Sequence, residues 1–278
     1  MPDQTNEKLP EGGGVLSHLN ELRSRIIKSL LFVAVGFGVA FNFADQILAF
    51  LIMPLKAVLP PGQKLIFTGL PDGFLVTLKI GLWGGVFLSA PLWLYQLWAF
   101  VAPGLYRSER KKVSGLTVSG TLLLFAGAAF GYVLVLPLAF KFFVGFSSDL
   151  LMALPDLKSY FSLAMSLLLA FGLVFQLPLV ILFLAGLGLV SSSLLIKGRK
   201  YAILLIFIIA AVLTPPDVLS QILMAIPMLG LYELSIKLVA RNERKKAAEE
   251  AAQEAGIGED PKPGQSAESP GETVEDKA

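Results

Sequence analysis

Long apolar runs, interrupted by short clusters of charge, proline and glycine, set the pattern of this chain. Six of them stand out, at 26–44, 74–101, 113–140, 161–190, 201–213 and 219–239. A helix needs about 20 apolar residues to cross a hydrocarbon layer about 30 Å thick, so each run predicts a transmembrane helix. The fifth is short: at 1.5 Å per residue it reaches roughly 20 Å and cannot cross an ordinary bilayer alone. Before the first run, Leu16, Leu19, Leu22 and Ile26 form an amphipathic stripe that would lie along the membrane surface.

Prolines fall inside the runs as well as between them. Pro91, Pro137, Pro178 and Pro227 are each expected to kink or break a helix. Gly127 and Gly131 form a GxxxG that predicts close helix packing. The expected fold is therefore all-α: a polytopic membrane protein with six transmembrane helices in a curved, concave bundle.

Composition agrees. The chain has 278 residues, 55% hydrophobic and 16% charged, with a mean hydropathy of +0.70, against about 25% charged in soluble domains. The first run, followed by further runs, reads as a retained span rather than a cleaved leader. Sixteen basic residues flank the runs on the side of residues 1–25, the 107–112 loop, the 197–200 loop and the C-terminal segment, against four (Lys56, Lys64, Lys141, Lys158) on the other. That bias predicts cytoplasmic N- and C-termini. Residues 1–25 read as a cytoplasmic arm, 26–240 as the membrane domain, and 241–278, with six basic and ten acidic residues, as a tail that is helical at first and then disordered.

Cysteine is absent and His18 is the one histidine, which excludes disulfides, a thiol nucleophile and a metal site built on a His pair. No GxxxxGK[ST], GxGxxG or Ser, His and Asp arrangement occurs near a run. The chain reads as neither an ATPase nor another enzyme, with no cofactor, no metal and no nucleic-acid partner.

Polar groups at the membrane edge carry the remaining chemistry. Glu21 lies among Arg23, Arg25 and Lys28, and Glu109 among Arg107, Arg110, Lys111 and Lys112. Each acid has an ordinary reading: Glu21 pairs with Arg25 at i,i+4, and Glu109 relieves repulsion among its neighbours. Two such carboxylates on one face could also receive two guanidinium groups through charge-assisted, bidentate bonds. Thr214 and Asp217 read as a capping box for the last run. Gln176 and Gln221 are amides at membrane depth, expected to face the bundle interior or a partner helix.

Four stretches, HLNELRSR, WAFVAPGLYRSERK, AFGLVFQLP and LTPPDVLSQILMAIPM, occur in an order and spacing that resembles the TatC family, the multi-spanning core of the twin-arginine protein translocase. The resemblance covers about residues 15 to 240. It implies a receptor for Arg-Arg signal peptides that works with single-span TatA and TatB type subunits, other copies of itself and membrane lipid. Folded proteins would be exported at the expense of the proton motive force, from the inner membrane of a bacterium or an equivalent energy-coupling membrane.

Carried over by position, Glu21 and Glu109 match acids of signal recognition, with Leu22, Arg23 and Phe100 beside them. Pro54 matches a Pro-Leu element of the first outer loop, and Asp217 an acid of the last outer turn. Thr214 and Gln221 fall on the face where partner helices are placed. Many relatives carry Glu where this chain has Gln176. The rival reading, a small-solute or ion transporter, requires strongly polar residues deep in several spans; here only Lys79, Gln176 and Gln221 approach that.

Overall fold

In the computed structural model the residues described are 15–59, 65–101, 110–145, 155–213 and 218–257. They form ten α-helices: α1 (Val15–Asn42), α2 (Ala44–Lys56), α3 (Asp72–Leu88), α4 (Ala90–Val101), α5 (Arg110–Phe130), α6 (Leu136–Val144), α7 (Leu157–Val174), α8 (Leu177–Gly186), α9 (Ser192–Leu213) and α10 (Val218–Ile257). A five-residue π-helical turn, Gly131–Val135, joins α5 to α6. Among the described residues there is no strand; the only β-contact is an isolated bridge between Ile66 and Asp156. Residues 1–239 make one compact unit and 240–278 another.

Among the described residues, four segments are long and apolar enough to cross a membrane: Ser17–Asn42, Val113–Val144, Leu157–Gly186 and Gln221–Ala252. The α3–α4 pair, bent by 55°, makes a fifth. α9 has 22 residues, but Lys197, Arg199 and Lys200 lie in its first half and leave too short an apolar stretch for it to count as a span. The expected count of six is thus met by five on length and composition.

Helices in lipid gain little from hydrophobic burial against each other, so close backbone packing decides where they touch. α1 and α3 meet at two glycines. A Cβ on Gly36 would lie 2.7 Å from the Gly85 carbonyl oxygen, and one on Gly85 would lie 2.4 Å from the Phe37 nitrogen. Gly84 meets Ala40 and Gly81 meets Phe41 along the same seam, so the two helices run antiparallel. The predicted small-residue contact at Gly127 is equally tight, 2.3 Å from the Phe171 carbonyl oxygen of α7.

The prolines act in different ways. Pro91 coincides with the α3–α4 bend, where buried Ser89 donates to the Gly85 carbonyl at 2.7 Å and the Trp93 indole donates to Val86 at 3.0 Å. Carbonyls left over at the end of α3 are thereby satisfied. Pro178 stands in the first turn of α8, just past the α7–α8 break. Pro137 follows the π-turn, whose wider ring makes room for the proline against the preceding turn. Pro227 lies inside α10, which runs through it without a break.

Pro54 was expected in a loop and lies instead, buried, inside α2. Its ring removes the N–H that would bond the Phe50 carbonyl four residues back. Tyr132 replaces that donor, its hydroxyl 2.6 Å from the Phe50 oxygen and its ring stacked on Phe50 at 4.4 Å. Tyr160 donates to the neighbouring Leu51 carbonyl. No hydropathy signal marks α2 as separate, because it continues the apolar run of α1.

At the end of the bundle away from Glu21, Asp72 is the first residue of α3. It is 5% exposed, accepts from Gly69 N–H at 2.8 Å and pairs with Lys158 at 3.4 Å. Backbone bonds from Leu157 to Ile66 (2.7 Å) and from Ile66 to Pro155 (3.2 Å) tie the same two regions. Asp156 caps α7 by accepting from Ser159 N–H at 2.9 Å, and that bond holds its carboxyl below the usual range.

Three substitutions check this packing. Gly85→Ala forces α1 away from α3 and is expected to cost about 1–3 kcal/mol, seen as earlier thermal loss of monodisperse protein in detergent. Gly38→Ala, which meets nothing within 4 Å, should be neutral or slightly stabilising. Tyr132→Phe leaves the Phe50 carbonyl without a donor and is expected to cost about 1–3 kcal/mol in the same assay.

Candidate functional site

Glu21 stands on the second turn of α1, where the chain passes from polar to apolar residues. Four residues on, Arg25 turns back to it: Nε lies 2.9 Å and Nη2 2.6 Å from the same carboxylate oxygen, Oε1. Among the described residues, the other oxygen, Oε2, has only His18 Nδ1 at 4.0 Å. The Glu21 side chain is 37% exposed and that of Arg25 23%. The ordinary i,i+4 pair is therefore formed, and it uses one carboxylate oxygen.

α4 brings the second half of the site. Its last turns carry Gln96 and Phe100, one helical turn apart. The His18 ring stacks on Phe100 with centroids 4.5 Å apart and planes at 17°, and Arg25 Nη1 reaches Gln96 Oε1 at 3.4 Å. Between α1, the end of α3 and α4 lies an apolar groove of about 410 Å³, with Leu22, Ile26, Leu30, Trp93, Leu97 and Phe100 on its walls. Arg25, Ser29 and Gln96 supply its polar rim. A carboxylate with one open oxygen thus sits beside a greasy groove. That is an arrangement for a cation followed by apolar side chains.

The expected site residues do not all assemble there. Glu21, Leu22 and Phe100 do. Arg23 does not: it lies on the opposite face of α1, in a shallow concavity with Asn20, Ser24, Ile27 and Lys28, because two helical positions turn a side chain by about 200°. Glu109, Thr214 and Asp217 lie outside the described residues.

The membrane-depth amides are both engaged inside. Gln221 donates to the Phe207 carbonyl at 3.0 Å, joining α10 to α9. Gln176 Nε2 donates to the Gly120 carbonyl at 2.8 Å, joining the α7–α8 break to α5. Its Oε1 and the Trp98 indole nitrogen are buried without partners, and both lie 3.3 Å from where a Cβ on Gly120 would be. A donor and an acceptor, each unspent, therefore converge on the bare face of Gly120.

Comparison with known proteins follows the same residues. A sequence model of the family described as Sec-independent protein translocase protein TatC matches residues 17–227. The chain belongs to the TatC family. A TatC of Desulforapulum autotrophicum is 48% identical over 239 residues, 85% of this chain and 88% of the relative. The TatC of Escherichia coli strain K12 is 40% identical over 222 residues, 80% and 86% of the two chains. A crystal structure of the twin-arginine translocase receptor TatC in the detergent DDM superposes with a TM-score of 0.73 at 38% identity, covering 80% of this chain and 99% of that one. The all-α membrane fold and the role in a protein translocase follow from family membership.

Sequence reasoning missed Gln96, Trp98 and the His18–Phe100 stack. A polar residue one turn before Phe100 in an apolar run was the available signal for Gln96; the others depend on a contact between helices. The Gln176 bond generates a further expectation for this TatC family member. Gln176→Leu removes one hydrogen bond and should cost about 1 kcal/mol. Gln176→Glu, which has no donor for Gly120 when ionised, should cost more than leucine at pH 8. It should recover as the pH falls to 5 and the carboxylic acid can donate again, read as thermal unfolding at the two pH values.

Proposed function

We propose that this chain is the signal-peptide receptor of a twin-arginine translocase, binding Arg-Arg signals at Glu21 and Glu109 on its cytoplasmic face. The observation that supports this most directly is that Glu21 pairs with Arg25, which lines the apolar groove. A signal presents guanidinium groups followed by an apolar segment, and the site offers a carboxylate followed by Leu22, Ile26 and Phe100. Charge-assisted bonds contribute about 1.5–3 kcal/mol each, so two arginines supply about 3–6. That corresponds to dissociation constants from the millimolar range to tens of micromolar, and burial of apolar side chains, at about 1.5–3 kcal/mol each, supplies the rest.

In this reading residues 1–25 form the cytoplasmic arm, 26–240 the membrane domain and 241–278 the cytoplasmic tail. The apolar stretch 201–213 within α9 is the short fifth span, whose mismatch thins the bilayer locally. TatA and TatB type subunits dock near Thr214 and Gln221, and Asp217 belongs to the last outer turn. The host membrane is the bacterial inner membrane or its equivalent. Energy comes from the proton motive force, about 2.3 kcal/mol per charge for each 100 mV.

The test places a photocrosslinker beside the Arg-Arg pair of an export signal in native membranes. Glu21→Ala and Glu109→Ala are each expected to lower crosslinking about tenfold or more. Exchange of the signal's arginines for lysines should also lower it, because the ammonium lacks the guanidinium fork. Crosslinking equal to wild type in both variants would overturn the assignment.

A further inference from the structure

We propose that Arg25 is a resident competitor: it occupies Glu21 while the receptor is empty, and it moves to Gln96 when a signal arginine arrives. This rests on the reading of Glu21 as a signal-binding carboxylate. Three contacts support it. Arg25 places both Nε (2.9 Å) and Nη2 (2.6 Å) on Glu21 Oε1, so it holds the carboxylate with the chemistry that the signal would use. Its remaining nitrogen, Nη1, already lies 3.4 Å from Gln96 Oε1, a long contact that would shorten if the guanidinium swung towards α4. Among the described residues the nearest basic group to Glu21 Oε2 is His18 Nδ1 at 4.0 Å, which leaves one oxygen where an incoming guanidinium can bind first.

Arg25 also rims the groove with Leu22, Ile26 and Phe100. Exchange at Glu21 is thereby linked to the groove that would take the signal's apolar segment. Measured affinity becomes a difference between the arriving and the resident arginine, so a ligand that cannot match the guanidinium fork does not displace it. Selectivity is gained at a cost in tightness. Gln96 becomes a positioning residue, acting on the signal only through Arg25.

The sign of the effect separates this from a structural ion pair. Binding of a fluorescent peptide, carrying an Arg-Arg pair and an apolar segment, is measured by titration on the full chain in lipid nanodiscs. Arg25→Gln is expected to tighten binding about three- to tenfold, and Arg25→Lys, which keeps the charge but not the fork, to tighten it about twofold or more. Lys28→Gln removes a charge from the other face of the same helix and is expected to change affinity less than twofold. Gln96→Leu should weaken binding about threefold or more when Arg25 is present and have little effect in the Arg25→Gln background, a coupling that a double-mutant cycle reads directly.

A merely structural role for Arg25 predicts loss of affinity in both variants, which would overturn the proposal. Equal tightening by Lys28→Gln would do so too, since bulk charge would then suffice. If Glu21→Gln binds the peptide as well as wild type, the receptor reading of Glu21 itself fails. If Glu21→Gln loses binding while Arg25→Gln and Arg25→Lys tighten nothing, only the competitor fails.

Discussion

The approach of Gly36 to Gly85 fixes the geometry on which the rest depends. Lipid tails are as apolar as leucine, so a membrane helix finds its neighbour through close backbone contact and polar bonds more than through burial. With no side chain between them, α1 and α3 touch at the backbone. That seam sets the distance from α1 to the bent continuation of α3, and hence brings His18, Leu22 and Arg25 against Gln96 and Phe100 of α4. The 55° bend at Ser89 completes the arrangement by turning α4 along α1.

Each interruption of a helix within apolar surroundings must satisfy the backbone groups it frees. This chain does so with side chains from other elements or from the far side of a bend. Tyr132 serves the carbonyl orphaned by Pro54, and Ser89 and Trp93 serve the end of α3. Gln176 reaches from the α7–α8 break to the Gly120 carbonyl. Such pairings make the breaks fixed features of the bundle.

At the polar edge the electrostatics differ. Glu21 is about one-third exposed, so its pairing with Arg25 is screened and exchangeable, unlike a buried ion pair whose separation would leave a desolvated charge. Exchangeability is what a receptor for transient cationic signals requires. The same pair placed a few turns deeper would be a structural clamp.

Much of this protein is determined by the sequence alone. Runs of apolar residues long enough to cross a membrane admit only helices or closed barrels, and their lengths favour helices. Proline marks the bends at Pro91 and Pro178, and GxxxG marks the seam at Gly127, because these effects are local to the backbone. Four short stretches carry the TatC resemblance, and the family match covers residues 17–227. Tertiary structure decided the remainder: that Pro54 belongs to a helix, that Pro227 does not interrupt one, and that Arg23 faces away from Glu21 while Gln96 and Phe100 face towards it. Those outcomes turn on which side of one helix meets which side of another. Hydropathy in a membrane span, apolar on all faces, holds little record of that choice.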